Sequence, residues 1–510
     1  MRRPDWQLWY NAATAEMQAH VNNGTWELVK LPSDRKAIGS KWVFKVKRNP
    51  DGSVERYKAR VVAKGFSQRP GIDFFETFAP TTKWAALRAI LALAALEDLE
   101  LESLDISTAY LNGSIDAEVY MKQPEGFEQR GSEWVCKLQK GLYGLKQGGR
   151  LWFEKLDSVL SSMGYIRIKS DPSIYVWSDA ESRVIVPVFV DNLTIASKSK
   201  QRIASFKSDL SKHFKLRDLG PSSFLLGVAI TRDRATRTLQ LSQRQYIVDL
   251  LDRFNFADCS PVSTPMDPGL RLSVSQAPST PEDVAYMQSV PYINAVGALM
   301  YLAIATQPDI AYSVNVLCCF SSNPGVEHWK AVKHLFRYLK GTMDLKLTYS
   351  PSSSGELFTT FTDADHAGNP DNGRSTSGYI VTMGTGAISW ASKLQTIVAL
   401  STTEAEFVAA CTAGQEIVWL RTLLSELGFP PASLSTLLAD NQSAIQVAKN
   451  PEHHGRMKHL DLRFFWLRDQ VQEGVMAIKY IPTAEMVADM LTKALPRVKV
   501  DELRRKMGLI

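Results

Sequence analysis

The sequence predicts an α+β chain divided into several domains, and three observations carry that expectation. The chain is 510 residues long, beyond what one hydrophobic core supports, so about three domains are expected. Its early part mixes period-two stretches with helical ones. Its last region instead runs strands first and then alternates helix and strand, the order of a mixed sheet flanked by helices. Two breaks rich in Pro, Ser and Gly, "PMDPGLRLSVSQAPSTPED" (265–283) and "SPSSSGE" (350–356), separate these regions.

Hydrophobic residues make up 45% of the chain and charged residues 22%, ordinary values for a soluble globular protein. The five cysteines form no CxxC pair, which argues for a reducing interior and against a zinc knuckle. The longest apolar stretch, "WAALRAILALAAL" (84–96), is interrupted by Arg88 and is too short to span a bilayer. The first residues, "MRRPDWQLWYNAATAEM", lack the apolar core of a signal peptide, so a chain that is neither secreted nor membrane-spanning is expected. The net charge is only +6, but residues 1–64 hold thirteen Lys/Arg against six Asp/Glu. Such a bias is either a solvated surface or a footprint for a phosphate backbone.

Taken in order, "KWVFKVKRNPDGSVERYKARVVAKGF" (41–66) reads as two alternating strands joined by the turn "NPDG". Period two puts Lys45 and Lys47 on one face of the first strand and Lys58 and Arg60 on one face of the second. This hairpin either lies along a polyphosphate or is an exposed edge guarded by lysines. A helix near 83–97, a strand holding "LDIS", the Gly-punctuated block "GLYGLKQGGRLWFEKL" (141–156) with a helix, the strand stretch "VPVFVDNLTIASKS" (186–199) and a helix near 202–213 follow. A helical segment spans about 290–341 and ends in "RYLKGT". In the last region "LFTTFTDADHAG" and "STSGYIVTMGTGAISWAS" read as strands, and "TTEAEFVAACTAGQEIVWLRTLLSELG" as a long helix closed by Gly428. A strand plus helix in "LLADNQSAIQVAKN", a helix within 458–473, the strand "AIKYIP" and a last helix from about 483 complete it.

The carboxylates fall into two sets. Asp105 ends the apolar strand of "LESLDISTAYLNG", with Tyr110 five residues on, and Asp191 sits inside an apolar run, where an unpaired charge is costly. From neighbouring strand ends the two could hold a pair of Mg²⁺ ions about 3.5–4 Å apart, the arrangement of polymerases and nucleases; each alone is equally a turn or cap residue. Asp363, Glu406, Asp440 and Asp489 form the second set, each placed beside an apolar run. Brought together they would repel one another unless a cation neutralised them. His453, His454 and His459 have no cysteine beside them and are read as surface or phosphate-contacting groups.

With these residues in view, "YKARVVAKGFSQRPGIDFFETFAP", "LDISTAYLNG", "LYGLKQ" and "PVFVDN" resemble the reverse transcriptase of copia-type LTR retrotransposons. "YLAIATQPDIAYSV", "RYLKGT", "TDADHAG", "STSGYI", "ALSTTEAEF", "ADNQSAI", "KHLDLRF" and "ADMLTKAL" resemble the connection and RNase H domains of the same polyprotein. The resemblance implies a right-hand polymerase of fingers, palm and thumb, then a connection segment and an RNase H-like α/β domain. It places fingers and palm at 1–264, a linker at 265–285, a helical thumb or connection at 286–349, a second linker at 350–356, RNase H at 357–497 and a tail at 498–510. Asp105 and Asp191 would be the palm aspartates, and Asp363, Glu406, Asp440 and Asp489 the RNase H carboxylates, together holding two Mg²⁺ ions per site, with Mn²⁺ an alternative. Tyr110 would exclude ribonucleotides, Lys47, Lys58 and Arg60 would meet the triphosphate, and Lys146 and Gln147 would contact substrate. The implied partners are an RNA template, a DNA primer, the RNA–DNA hybrid and deoxynucleoside triphosphates. The implied place is a cytoplasmic virus-like particle with access to the nucleus.

Departures from the family pattern matter. Asn192 stands where a second acid is usual, and an amide brings no charge to Mg²⁺. Tyr110 replaces the commoner Phe, Gly148-Gly149 an Ala-Pro, His366 a Trp and Phe465 a His. Three readings follow: a polymerase with RNase H, a hybrid nuclease whose polymerase is lost through Asn192, and an inactive nucleic-acid-binding remnant.

Overall fold

The computed structural model describes residues 4–48, 53–352, 355–449 and 461–510, without the side chains of Arg48 and of 461–465. The "NPDG" turn and the three histidines His453, His454 and His459 lie outside the described residues. The chain forms two compact units: the residues through Thr82 with Glu102–Gly220, and Lys83–Leu101 with Pro221–Ile510.

In the first unit, Ser40–Arg48 and Val54–Ala63 pair antiparallel with Lys45 opposite Lys58, Lys47 opposite Arg56 and Val43 opposite Arg60. Directly opposed residues share a face, so Lys45, Lys47, Arg56, Lys58 and Arg60 make one cationic face. The other main element is a six-stranded sheet in the order Leu216–Pro221, Glu100–Ile106, Asn192–Ser197, Arg183–Phe189, Ile174–Ser178, Ile166–Arg167. Helices Gly148–Ser162 and Lys200–Ser211 cover it, burying Trp152, Leu156, Phe206 and Leu210 against Leu104, Ile106, Val186 and Ile195. The second helix starts where Ser199 accepts a bond from the Arg202 N–H, a capping residue in its usual place.

The second unit has two sheets. Phe224–Leu225, Val228–Asp233, Thr238–Ser242 and Leu347–Tyr349 form one. Gly386–Leu394, Thr376–Met383, Thr359–Ala364, Ser435–Ala439 and Met476–Tyr480 form the other, antiparallel through the first three strands and parallel through the last three. Helix Thr402–Glu426 packs on this second sheet and buries Phe407, Ile417, Leu420 and Leu424.

Several boundaries differ from those read off the sequence. Helix Trp84–Leu96 belongs to the second unit, although the sequence places it within the 1–264 region. Ten successive residues, Ala86–Ala95, are buried, including Arg88, which donates to the carbonyls of Ile388 at 2.7 Å and Ala305 at 3.0 Å and lies 3.7 Å from the Trp390 ring centroid. The stretch read as a linker at 265–285 is seated rather than free: Met266 and Leu272 are buried, and the Asp371 carboxylate accepts from the Val274 N–H at 3.0 Å. The segment at 290–341 is three helices, Tyr292–Ala305, Ala311–Cys318 and Val326–Thr342, because Pro308 and Pro324 cannot continue a helix. No single helix runs from 483. Short 3₁₀ turns occupy Thr483–Glu485 and Val487–Leu491, and the α-helix is Arg497–Lys506; Pro496 would clash with the Thr492 carbonyl in a continuous helix. The stretch read as a tail is core, with Leu503, Met507 and Leu509 buried and Leu509 bridged to Leu347.

Candidate catalytic carboxylate sites

The first site forms where two sheet elements meet. Asp105 lies near the end of Glu100–Ile106, and Asp191 lies in the tight turn that pairs Phe189 with Asn192. The Asp191 carbonyl accepts from the Ile106 N–H at 2.8 Å, which fixes the hairpin tip beside Asp105. Val190 holds a φ of +59°, a conformation that a β-branched residue rarely adopts. Its carbonyl accepts from the Trp152 indole N–H at 2.7 Å, so packing sustains the strain.

The charges converge on this tip. Burial and then the Asp105 charge push the Asp191 carboxyl above its usual range, while Arg60 and Lys58 oppose the rise. Burial and the neighbouring Arg60, Arg56 and Lys47 lower the Lys58 ammonium, and Asp105 acts the other way. Burial and Asp191 raise the Tyr110 hydroxyl. The Arg60 guanidinium lies 4.3 Å from the Tyr143 ring centroid, and Tyr143 meets Tyr110 edge-on at 4.7 Å. Asp105, Asp191, Tyr110, Lys58, Arg60 and Lys47 therefore form one electrostatic neighbourhood. The structure adds Arg56 and Tyr143, which the sequence reading missed. Arg56 was findable, two residues before Lys58 on the same face, and Tyr143 lies inside the quoted motif "LYGLKQ".

Lys146 and Gln147 have another setting. Gln147 is buried, its amide N–H donating to the Asp73 carbonyl at 2.8 Å and its oxygen accepting from Gln68 at 2.9 Å. The Lys146 backbone N–H donates to Gln68 at 2.8 Å. Gln147 thus holds two loops together, with both ends of its amide engaged. Asn192 donates from Nδ2 to the Asp191 Oδ1 at 3.0 Å, taking a lone pair on the carboxylate next to it.

The second site sits at the end of the five-stranded sheet. The parallel register pairs Phe361 with Leu438, which carries Asp363 and Asp440 to the same level two residues on. Ser401 caps helix Thr402–Glu426 by accepting from the Glu404 N–H, and Glu406 follows one turn in. Asp363, Glu406 and Asp440 each offer an oxygen within 4.8 Å of the others. Asp489, in the turn Val487–Leu491, is buried beside them. Burial, then Asp363 and Asp440, raise the Glu406 carboxyl; burial and Asp363 raise that of Asp489.

Glu406 Oε2 is buried with no hydrogen-bond partner among the described residues. An orphaned oxygen within a set of hard carboxylate donors fits a hard divalent cation such as Mg²⁺ or Mn²⁺. Two further residues close the cluster: the Thr492 hydroxyl donates to Asp363 Oδ2, and Lys493 Nζ stands 2.8 Å from Asp489 Oδ1 and 3.5 Å from Asp363 Oδ2. Asp365 is pushed up to about 6 by burial, although its carboxylate accepts from the Thr376 N–H. The sequence reading named none of these three; Thr492 and Lys493 fall three and four residues after Asp489, a spacing that would have found them.

Two groups of carboxylates thus lie on separate sheets, and Lys58 and Arg60 of the cationic hairpin act on the first. Residues 23–268 match the family model described as reverse transcriptase (RNA-dependent DNA polymerase). The chain is 46% identical, over all of its length, to 38% of the retrovirus-related Pol polyprotein from transposon TNT 1-94 of Nicotiana tabacum. It is 30% identical, over 62% of its length, to the whole of the putative transposon Ty5-1 protein of Saccharomyces cerevisiae. A foamy viral protease-reverse transcriptase structure in complex with double-stranded DNA aligns with 93% of this chain and 70% of that chain at 13% identity, with a TM-score of 0.26, too low to assign a fold. The chain belongs to the copia-type Pol polyproteins of retrotransposons. It spans about a third of the length of the longer plant relatives, 38% and 34% of two of them.

Proposed function

We propose that this chain is the RNA-directed DNA polymerase and RNase H segment of a copia-type retrotransposon. The observation that carries the reading is the meeting of Asp105 and Asp191 with Lys58 and Arg60, inside the stretch matched to the reverse transcriptase family. The first unit is read as fingers and palm. Lys47, Lys58 and Arg60 neutralise the triphosphate of an incoming deoxynucleotide, and Tyr110, backed by Tyr143, sits under its sugar and excludes a 2′-hydroxyl. Lys146 and Gln147 fix the loop that borders the substrate. Asp105 and Asp191 would hold Mg²⁺ at this site, and Asp363, Glu406, Asp440 and Asp489 at the other, with Mn²⁺ an alternative. Bound there, such ions supply charge stabilisation at the reacting phosphate. The chain's own residues align a primer 3′-hydroxyl on an RNA template and present the RNA strand of an RNA–DNA hybrid, told from DNA by its 2′-OH. The place of action is a virus-like particle in the cytoplasm, with nuclear access.

A second reading, hybrid nuclease without polymerisation, is favoured by one observation. Asn192 brings no charge and occupies an Asp191 oxygen. Mg²⁺-dependent primer extension on an RNA template, with the chain as it stands and with Asn192→Asp, separates the readings. Extension by both supports a working polymerase, and extension only by N192D leaves the native chemistry to RNase H. Hybrid cleavage at full rate in Asp440→Asn would overturn the nuclease assignment.

A further inference from the structure

The second carboxylate cluster carries its own cation. Asp363, Glu406 and Asp489 are all buried, and such a concentration of like charge is unfavourable without compensation. Lys493 is placed to supply it, 2.8 Å from Asp489 and 3.5 Å from Asp363; its charge is also felt by Glu406 and Asp440, but among the described residues no cation forms a close ion pair with either. The cluster is therefore lopsided. Its Asp363–Glu406–Asp440 side has converging oxygens and an orphaned Glu406 Oε2, while its Asp363–Asp489 side is filled by an ammonium.

We propose that Lys493 is the resident counter-ion of this cluster, and that it must leave Asp363 and Asp489 before a divalent cation binds on their side. The inference rests on reading the cluster as a metal site and names Lys493 as a positioning residue for it. Thr492 holds Asp363 through Oδ2, so the carboxylate keeps its place when the lysine departs. The lysine also has somewhere to go. Its side chain is 41% exposed, and a cavity of about 290 Å³ lined by Lys493, Asp365, His366, Tyr312 and Arg271 adjoins it. In that position the ammonium no longer opposes a divalent cation, and the open cavity lets water rehydrate it. Binding of the ion and seating of the lysine thus exclude each other, and mutually exclusive binding is a coupling that a neutral side chain abolishes.

Calorimetric titration with Mg²⁺ alone, in alkaline buffer that keeps the carboxylates ionised, tests this on the full chain. The heat lost in Asp440→Asn identifies binding at this cluster. Lys493→Met is expected to bind Mg²⁺ about tenfold tighter than wild type, within the usual range of coupling, and Lys493→Arg to stay weak. Without metal, K493M is expected to melt below wild type, and Mg²⁺ to raise its Tm by more than it raises the wild type's. Equal or weaker Mg²⁺ binding in a folded K493M overturns the counter-ion role and leaves the metal site standing. Absence of D440N-sensitive binding in both wild type and K493M overturns the metal site itself. If K493M fails to fold, Lys493→Gln carries the same comparison.

Discussion

At the residue scale, the two sites differ in how their acids are supported. Beside Asp191 stands the neutral Asn192, which spends its amide N–H on Asp191 Oδ1. Restoring the acid with Asn192→Asp is expected to raise Mg²⁺-dependent primer extension by about 10–100-fold, the usual weight of a group that supports a metal ligand. Unchanged extension rates would show the amide to be tolerated. In the other site, Thr492 is fully buried with its hydroxyl on Asp363. Thr492→Val leaves a buried carboxylate oxygen without its donor, at a cost of about 1–3 kcal/mol, readable in urea denaturation of the metal-free chain. Asp365 gives a pH signature. Burial raises its folded pKa to about 6, against about 3.9 when unfolded. The folded chain therefore holds this proton more tightly, and ionisation opposes folding. The contribution is complete below about pH 4 and is lost as pH rises through about 6. Asp191 and Asp309, also raised by burial, act in the same direction, so Asp365→Asn should flatten part of the fall in Tm across that window.

At the scale of elements, helix Trp84–Leu96 is the informative case. Its apolar run was plain in the sequence, and its bounds fall within a residue of the expected 83–97. Its partner was not. Its spacing reads as a buried amphipathic helix, yet residues Ala86–Ala95 are buried on every side, and the buried Arg88 gains meaning only beside the carbonyls of Ile304, Ala305 and Ile388. Arg88→Met strips two buried carbonyls and one part-buried carbonyl of their donor and should destabilise the second unit by at least about 2 kcal/mol. Lys330→Met, which breaks an exposed pair with Glu327, should cost no more than about 1 kcal/mol. A similar midpoint shift for both in denaturant titration would contradict this account. The cationic hairpin is the converse case: strict period two made the cationic face of each strand readable in advance, and the observed register joins the two into one.

At the scale of the whole molecule, the ordering of motifs from Trp26 to Leu495 made membership of the copia-type family legible without coordinates, whereas the compact units could not be read the same way. The Pro- and Ser-rich stretch at 265–283 looks like a linker because its composition is that of loops, yet Met266 and Leu272 are buried in the second unit. The final residues look like a charged tail, yet Ile510 and Lys346 exchange backbone bonds at 2.8 and 3.0 Å, and the Gly508 carbonyl accepts from Thr348 at 2.8 Å. Deleting residues 507–510 removes buried Met507 and Leu509 with these bonds. The second unit should then melt earlier and be cut sooner by protease, and an unchanged Tm would show the end to be dispensable.

The sequence by itself determined the family, most of the element types and the period-two cationic face of each hairpin strand, and it offered six acids as candidates, because these depend on residue type and on spacing within one segment. Tertiary structure alone decided which acids meet and what accompanies them. Asp363 and Asp440 converge through a parallel register between strands distant in the chain, and Asp489 reaches them from a 3₁₀ turn rather than a helix. That turn delivers Thr492 and Lys493 to the same carboxylates. Burial and like charge then set the protonation of Glu406 and Asp489. Local pattern carries no information about such meetings, since the free energy that fixes them comes from desolvation and Coulomb interaction between segments far apart in sequence.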